Sequence, residues 1–525
     1  MKNLFNSVKM TKLNRNLFDL SHDVKLTLDM GDLVPILALE CIPGDKHTIS
    51  CESLLRFSPM VSPVMHRYDV TMHYFFVPNR ILWNNWEKFI TNTKLDDTQE
   101  LPAFPYLTIQ ADNSKNPIGS LPDYLGIPYN LNQTNAQNIQ VNALPFSAYQ
   151  CVYNEYYRDQ NLIAPIDYKV VDGNNDVGDQ RLLTLRKRAW EHDYFTACLP
   201  WAQKGDSVQI PLGDVTLKDR FGFPDDYLPS GIIVNKLGQP TGDGQLIVNE
   251  QSAGYPGAMA RVDDISGSIN TSRYDPNGTL EVAPTNINDL RRAFRLQEWL
   301  EKAARGGSRY IEWIKTMFGV TSSDKRLQRP EYITGTKSPV VISEVLNTTG
   351  TQELPQGNMS GHAVSVNSGQ YGSYYCEEHG FIIGIMSVMP KPAYFQGLDR
   401  FWSKIDDPTQ YYFSSFANIG EQEVLNKELF AYSSIQDETF GYIPRYAEYR
   451  YMPNRVCANF RTDLDFWHQA RIFDNAPNLN QNFVECYPDK RIFAVTQENV
   501  NSLYCQVYNK IQSVRPLPKY GTPSF

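Results

Sequence analysis

The residues Val24-Lys25-Leu26-Thr27-Leu28-Asp29-Met30 alternate strictly between apolar and polar side chains. A period of two puts the apolar side chains on one face of a β-strand and the polar ones on the other. Gly31 follows directly and marks the end of the strand. The pattern predicts a half-buried strand and, by extension, a mainly β protein.

Apolar, β-branched and aromatic runs of similar length recur along the chain. They cover residues 33–42, 70–77, 340–346, 381–389, 447–452, 492–496 and 502–508. Together they predict about eight strands and leave more than half of the chain in connections, whereas most loops contain roughly 4–6 residues. We therefore expect one compact β-core that carries large insertions.

Residues 205–285 form the clearest insertion. They contain 11 glycines and 11 acidic against 5 basic residues, a net charge of −6. Turn-forming clusters at 241–244 and 275–278 indicate an excursion from the core, and a disordered linker is the alternative. Its aromatic residues are candidates for contacts at the tip: Phe221, Phe223, Tyr227, Tyr255 and Tyr274. The predicted division is residues 1–204 (N-terminal arm and first part of the core), 205–285 (surface insertion) and 286–525 (helices, remaining strands and C-terminal tail).

The segment after the insertion predicts two helices. Asn286 or Asn288 caps the first, which Gly306-Gly307 ends, and the second covers 309–318 before Gly319. From 291 to 329 there are ten basic and four acidic residues, a net charge of +6 in a chain whose total is −9. This basic segment needs a functional explanation.

The composition favours extensive subunit contacts. Charged residues make up 20% of the chain and aromatic residues 12%. Low charge with abundant Tyr and Phe is typical of interface cores, although a tyrosine-rich β-protein without partners has the same composition. The acidic total argues against a nucleic-acid binder that uses its whole surface.

The sequence contains no motif that is typical of a metal site, a cofactor site or a membrane segment. The eight cysteines include no CxxC pair and no histidine at zinc-ligand spacing, so reduced, buried thiols are expected. The longest clean apolar run, 381–389, is far shorter than the roughly 20 residues that a membrane span needs. A β-rich carbohydrate-binding or glycoside-hydrolysing enzyme stays open as the alternative, because paired catalytic carboxylates leave no local signature.

Basic residues with aromatic neighbours form the remaining candidate site. They lie in the N-terminal arm (Lys9, Lys12, Arg15), in the helical segment (Arg291, Arg292, Arg295, Arg305, Arg309) and near the C terminus (Lys510, Arg515, Lys519). Such mixtures hold single-stranded nucleic acid by neutralising phosphates and stacking bases. Solvated tails and a helix face with salt bridges are the alternative.

Several blocks of sequence resemble the major capsid proteins of the gokushovirus branch of the Microviridae. They include Leu290-Arg291-Arg292-Ala293-Phe294-Arg295-Leu296-Gln297, Ala304-Arg305-Gly306-Gly307-Ser308-Arg309-Tyr310, Phe57-Ser58-Pro59-Met60, Tyr74-Phe75-Phe76-Val77-Pro78-Asn79-Arg80 and Tyr446-Ala447-Glu448-Tyr449-Arg450. The resemblance runs from end to end, and only residues 205–285 match poorly, where such capsid proteins differ in sequence and length.

This resemblance implies a single eight-stranded antiparallel jelly roll, a β-sandwich with long inserted loops and a few helices. It also implies that sixty copies form a T=1 icosahedral shell around a circular single-stranded DNA genome. The basic residues above then become candidates for the inner surface. Residues 205–285 become the candidate for a protrusion at the threefold axis that attaches to the bacterial surface.

The resemblance also implies the partners and the location. The expected partners are a small basic packaging protein, a DNA pilot protein, an internal scaffolding protein during assembly and a bacterial surface receptor. The protein would be a virion component assembled in the host cytoplasm, with no enzymatic activity, no cofactor and no membrane insertion.

Overall fold

The computed structural model describes residues 14–92, 100–131, 137–176, 181–209, 286–348, 357, 359–497 and 499–520, together with the backbone of four short strands between 215 and 282. The strands are β1 (Asn16–Asp19), β2 (His22–Leu28), β3 (Val34–Cys41), β4 (Lys46–Phe57), β5 (Tyr68–Pro78), β6 (Tyr106–Ile109), β7 (Ile139–Asn142), β8 (Val215–Leu217), β9 (Gln245–Val248), β10 (Ala258–Arg261), β11 (Leu280–Val282), β12 (Glu331–Pro339), β13 (Val341–Leu346), β14 (Met359–Ser368), β15 (Gly372–Tyr375), β16 (Gly380–Pro390), β17 (Glu421–Leu425), β18 (Thr439–Pro444) and β19 (Leu503–Arg515).

Helices are fewer and mostly short. They are α1 (Asn79–Leu82), α2 (Trp86–Ile90), α3 (Leu121–Tyr124), α4 (Leu144–Val152), α5 (Ile287–Arg305), α6 (Tyr310–Phe318), α7 (Asn426–Leu429) and α8 (Gln481–Val484), and a π-helical turn at Tyr153–Tyr157 continues α4. The protein is therefore mainly β.

Two antiparallel sheets form the centre of the molecule. The larger sheet has the order β1-β19-β4-β14-β13, with β2 also paired to β19 and β15 to β4. The smaller sheet has the order β12-β5-β16-β3. Their facing sides share one apolar core, with Ile49, Leu55 and Val507 from the larger sheet and Val70 and Ile382 from the smaller. The two sheets thus pack as a β-sandwich.

A second core covers the other face of the smaller sheet. Phe75 and Ile383 point away from the larger sheet and pack with Tyr149 and Val152 of α4. Every residue of β16 is buried in consequence. This double burial explains why its sequence is continuously apolar rather than alternating.

A third, smaller core lies in the long connection between β16 and β19. It contains Val424, Phe440 and Phe483 beside the hairpin of β17 and β18, together with Phe195 from the other long connection, between β5 and β12. The connections of this protein therefore have cores of their own.

The chain divides into two compact units, one of residues 1–204 with 301–525 and the other of residues 205–300. In the second unit β8 pairs with β11 and β9 pairs with β10, both antiparallel.

Most of the strand and helix predictions are confirmed. The runs 24–30, 33–42, 70–77, 340–346, 381–389 and 502–508 correspond to β2, β3, β5, β13, β16 and β19. The two helices of the basic segment are α5 and α6, and Gly319 ends α6 in the left-handed conformation with φ +69°. Gly31 lies in the turn after β2 with φ +83°.

Two strand predictions are wrong. Residues 447–449 form a single 3-10 turn that follows Tyr446 in the left-handed conformation. Ile492 and Phe493 are buried, but they form only an isolated bridge, between Phe493 and Met60. Ile492 and Phe493 pack into the main core without joining a sheet, whereas Tyr449 and Met452 of the other run are exposed at the surface.

Candidate functional site

The larger sheet leaves its outer face exposed. Along β19 the residues Leu503, Val507 and Ile511 are fully buried towards the smaller sheet, whereas Tyr504 and Tyr508 on the opposite face are exposed. The backbone N–H and C=O groups of the sheet are paired between strands, so the groups of this face that are available to a partner are its side chains. We call it the outer sheet face.

Strand register places tyrosines beside cations on the outer sheet face. Tyr504 lies opposite Arg56 of β4, and Tyr375 of β15 lies opposite Lys46. Opposite residues of antiparallel strands share a face, with Cβ atoms about 5 Å apart. The guanidinium of Arg15 also lies 5.6 Å from the centre of the Tyr375 ring. Each of these two tyrosine rings therefore has at least one cationic side chain as a neighbour on the same face.

Lys510 and Lys519 also have aromatic neighbours. The Lys510 ammonium lies 5.9 Å from the centre of the Tyr371 ring, and a hydrogen bond to Tyr371 raises the pKa of this lysine. The Lys519 ammonium lies 5.8 Å from the Tyr520 ring.

Two carboxylates interrupt the positive charge. Asp23 and Glu52 lie opposite Tyr508 on either side. The positive charge is thus divided between the two ends of the face, with Lys46 towards one end and Arg56 towards the other.

Three of the sequence-predicted arginines are partly buried and bound by groups of the same chain. Arg515 lies 3.3 Å from the Asp45 carboxylate and donates to the Glu40 carbonyl oxygen at 2.8 Å. Arg305 pairs with Glu421 and donates to the carbonyl oxygen of Ala197. A third guanidinium, that of Arg309, donates to the carbonyl oxygens of Asn154 and Arg158. These groups join segments that are distant in sequence.

The remaining cations of the helical segment are exposed. Arg291, Arg292 and Arg295 lie on α5, and Arg295 forms an ion pair with Glu298 at 2.6 Å. An exposed pair of this kind contributes less than about 1 kcal/mol, so Arg295 can exchange its partner at little cost.

Several sequence-predicted site residues lie outside the described residues. They are Lys9 and Lys12 of the N-terminal arm and the five aromatic residues of the insertion, Phe221, Phe223, Tyr227, Tyr255 and Tyr274.

A second surface combines many exposed apolar side chains. Phe401, Trp402, Ile405, Tyr411, Tyr412 and Met452 form what we call the aromatic patch. Phe401 and Trp402 are in ring contact at 4.7 Å, and Phe401, Tyr411 and Met452 line one cavity of about 270 Å³. Exposed apolar groups concentrated in this way mark an interaction surface.

Two ion pairs line the same cavity as the aromatic patch. The Lys404 ammonium lies 2.8 Å from Glu448, and Arg400 lies 2.8 Å from Glu428. Burial raises the pKa of Glu428, an effect that Arg400 opposes. Charged groups held in this way fix the backbone that carries Phe401 and Trp402.

A family model described as "Capsid protein (F protein)" matches residues 6–525. The chain belongs to this capsid protein family. Capsid protein VP1 of Chlamydia phage 1 is 34% identical over 100% of this chain and 98% of its own length. Capsid protein VP1 of Bdellovibrio phage phiMH2K is 35% identical over 99% and 97%, and that of Spiroplasma virus 4 is 30% identical over 98% and 99%.

The molecule is accordingly a major capsid protein of a phage and a component of the virion. These relatives point to a structural protein and away from the glycoside-hydrolysing alternative. In the part of the chain that the structure describes, no helix has the length and apolar character to cross a membrane.

Sequence reasoning missed several cations of the outer sheet face of this capsid protein. Lys46 and Arg56 lie on β4, a strand that was not predicted, and Lys25 lies on β2 opposite Gln506. The available signal was the alternation of β4, whose outward positions are 46, 48, 50, 52, 54 and 56.

The spacing argument also missed a group of metal-ligating side chains. All eight cysteines of the capsid protein are free and seven are buried. Among the described residues, Cys41, His47 and Cys376 bring their ligand atoms within 4.8 Å of one another. Cys376 is far along the chain from the other two, so only strand pairing reveals the group.

Proposed function

We propose that sixty copies of this capsid protein assemble into a T=1 icosahedral shell around a circular single-stranded DNA genome, with the outer sheet face turned towards the DNA. A shell of identical subunits closes only through contacts that obey point-group symmetry. The proposed partners are a small basic packaging protein, a DNA pilot protein, an internal scaffolding protein during assembly and a bacterial surface receptor.

The strand order supports a jelly roll as the fold of the shell subunit. The four central strands of the larger sheet run β2-β19-β4-β14 and those of the smaller sheet β12-β5-β16-β3. Along the chain β2, β3, β4 and β5 alternate between the sheets, as do β14, β16 and β19. Alternation of this kind is what two interleaved Greek keys produce. The long insertions then fall between β5 and β12 and between β16 and β19.

The outer sheet face is the observation that carries the proposal. It presents Tyr371, Tyr375, Tyr504 and Tyr508 among Arg15, Lys25, Lys46, Arg56 and Lys510. Stacking of a base on an aromatic ring contributes roughly 1–3 kcal/mol and tolerates any sequence, and the cations neutralise phosphates. A genome of arbitrary sequence needs this kind of binding.

The exposed cations of α5 are a second proposed contact with DNA. Arg291, Arg292 and Arg295 are free to face phosphates because their side chains are exposed. By contrast, Arg305, Arg309 and Arg515 are held by partners in the same chain, so direct DNA contact would require these guanidinium groups to give up ion pairs or carbonyl acceptors.

The test is the genome content of particles that carry Lys46→Gln, Arg56→Gln and Lys510→Gln together. Loss of three phosphate contacts per subunit should give particles that release DNA at lower salt, because each contact adds to the salt dependence of binding. Encapsidated DNA is measured by quantitative amplification after nuclease treatment over a series of salt concentrations.

Lys88→Gln with Lys115→Gln is the matched control. Both lysines are exposed, and they lie in the segment that follows β5 rather than on the outer sheet face. A separate variant with Arg291, Arg292 and Arg295 changed to Gln tests α5. Wild-type DNA retention by the triple variant of the outer sheet face would show that this face does not bind the genome.

We also propose that residues 205–285 form the threefold protrusion and attach to the host. Two observations support this: the acidic, glycine-rich composition of 205–285 and the compact unit at 205–300. Phe221, Phe223, Tyr227, Tyr255 and Tyr274 are the proposed contact residues.

A further inference from the structure

Three buried side chains with metal-binding atoms meet at one end of the sandwich, and the carboxylate of Asp45 lies 3.4 Å from one of them, His47. Cys41 ends β3, Asp45 lies in the turn that follows, His47 is in β4 and Cys376 follows β15. All four residues are fully buried, at 0% exposure. The donors of the group thus come from both sheets.

Backbone hydrogen bonds fix these residues relative to one another. The Gly44 amide donates to the Cys376 carbonyl oxygen at 2.8 Å, and the Cys376 amide donates to the Asp45 carbonyl oxygen at 2.9 Å. The Asp45 amide donates to the Ile42 carbonyl oxygen at 3.1 Å, which closes the turn. These backbone hydrogen bonds therefore hold the residues of the group in place, whether or not a ligand is bound.

Two polar atoms in the group lack a hydrogen-bond partner. Nδ1 of His47 lies 2.7 Å from Oγ of Ser513, but Nε2 forms no hydrogen bond, although Asp45 Oδ2 is 3.4 Å away. Oδ1 of Asp45 is also without a partner. A buried polar atom left unpaired costs about 1–3 kcal/mol, so two of them in one place indicate a ligand.

We propose that Cys41, His47 and Cys376 bind one Zn²⁺ ion, with Asp45 as the fourth ligand. Thiolate sulfur and imidazole nitrogen are the donors that zinc prefers, and four protein ligands are typical of a closed structural site. Nδ1–H of His47 donating to Ser513 would hold the ring with Nε2 towards the ion, as outer-shell partners of zinc ligands commonly do.

The charges of such a site balance. Two thiolates and the Asp45 carboxylate carry three negative charges, and Zn²⁺ with the Arg515 guanidinium carries three positive ones. Arg515 is 3.3 Å from Oδ2 of Asp45, which leaves Oδ1 for the metal. Neutrality matters here because an unbalanced charge in a buried site is costly.

The ion would join the two sheets of the sandwich. Cys41 belongs to the smaller sheet, whereas His47 belongs to the larger and Cys376 directly follows one of its strands. Binding energy of a structural zinc is folding energy, so the site would stabilise the subunit before and after assembly. The inference does not depend on the DNA-binding role of the outer sheet face.

The first test is the metal content of the full-length wild-type chain, purified with reductant and without chelator. Mass spectrometry of the metals should find about one zinc per chain. Replacing zinc by Co²⁺ should produce a thiolate-to-cobalt charge-transfer band, and a strong chelator should lower the melting temperature. A folded wild-type chain that holds no zinc after incubation with excess Zn²⁺ would overturn the proposal.

Variants assign the ligands. Cys376→Ser and His47→Gln should lose the zinc and the cobalt band, whereas Cys457→Ser, which removes the exposed cysteine, should retain both. Retention of a full equivalent of zinc by Cys376→Ser would assign the metal to another site. If either ligand variant fails to fold, the wild-type metal content still decides the question.

Thiol titration separates zinc from a disulfide between the two cysteines. The denatured wild-type chain, unreduced and with chelator present, should titrate eight thiols. Six thiols, rising to eight after reduction, together with no bound zinc, would instead show that Cys41 and Cys376 are oxidised and would overturn the metal site.

Discussion

His66 and His73 are partly buried histidines whose titration links the stability of the subunit to pH. Burial, as the main cause, lowers the pKa of each imidazole to about 4, and the positive charge of Arg188 contributes to the shift of His73. The unfolded chain therefore binds more protons than the folded chain between about pH 6.5 and pH 4. Stability that is fully present above pH 6.5 is lost as the pH falls through this window.

The His73→Gln variant tests this linkage. Between pH 7 and pH 4.5 the wild type should lose about 2 kcal/mol more unfolding free energy than the variant, since glutamine cannot take up the proton. Urea unfolding followed by tryptophan fluorescence at both pH values measures the difference. His362→Gln, at an exposed position of β14, is the control for the loss of a histidine side chain. Parallel pH profiles for wild type and His73→Gln would contradict the prediction.

At the scale of the element, β16 separates the two main cores. Ile382 faces the larger sheet and Ile383 faces α4, and both are fully buried. We expect Ile382→Ala and Ile383→Ala to cost about 2–5 kcal/mol each, because truncation inside either core leaves a cavity. Val366→Ala on β14 is the control: this residue is 75% exposed, so its truncation should cost less than about 0.5 kcal/mol. A small effect of Ile383→Ala alone would mean that the α4 side is only loosely packed.

The elements also show what could be predicted from the sequence. The alternation of β2 and the continuous apolar run of β16 were recognisable because one strand is buried on one face and the other on both. β4 was not, because His47 and Ser53 occupy inward positions where the alternation requires apolar residues. His47 is one of the proposed zinc ligands. A polar residue placed there for metal binding interrupts the apolar alternation, and the strand is therefore not recognisable from the sequence.

The candidate sites were less predictable than the fold. Lys46 meets Tyr375 only because β4 and β15 pair, and Cys41 meets Cys376 only because the two sheets pack against each other. Local motifs found cations next to aromatic residues along the chain, and three of these, Arg305, Arg309 and Arg515, turned out to have intramolecular partners. Register, rather than spacing, determines which side chains share a surface.

At the scale of the whole molecule, the insertion should be separable from shell formation. Replacing residues 241–267 by a short Gly-Ser linker removes part of the 205–300 unit and no strand of the two large sheets. We expect particles with normal size and genome content but at least tenfold lower adsorption to host cells. Electron microscopy controls for assembly, and adsorption assays measure attachment. Unchanged adsorption would remove the insertion from the attachment site.

The aromatic patch should instead be required for the shell itself. Trp402 is 63% exposed and Ile405 is 82% exposed, so the isolated subunit leaves large apolar side chains in water. Subunit contacts would bury them, and central aromatic residues of an interface often contribute 2 kcal/mol or more each. Because every subunit repeats the contact, Trp402→Ser with Ile405→Ser should abolish shells while changing the unfolding free energy of the subunit by less than about 1 kcal/mol.

Leu131→Ser, at an 86% exposed residue outside the patch, is the control and should assemble normally. Sedimentation of the assembly reaction and thermal unfolding of the free subunit measure the two effects separately. Wild-type shells from the double variant would show that the patch faces solvent in the virion.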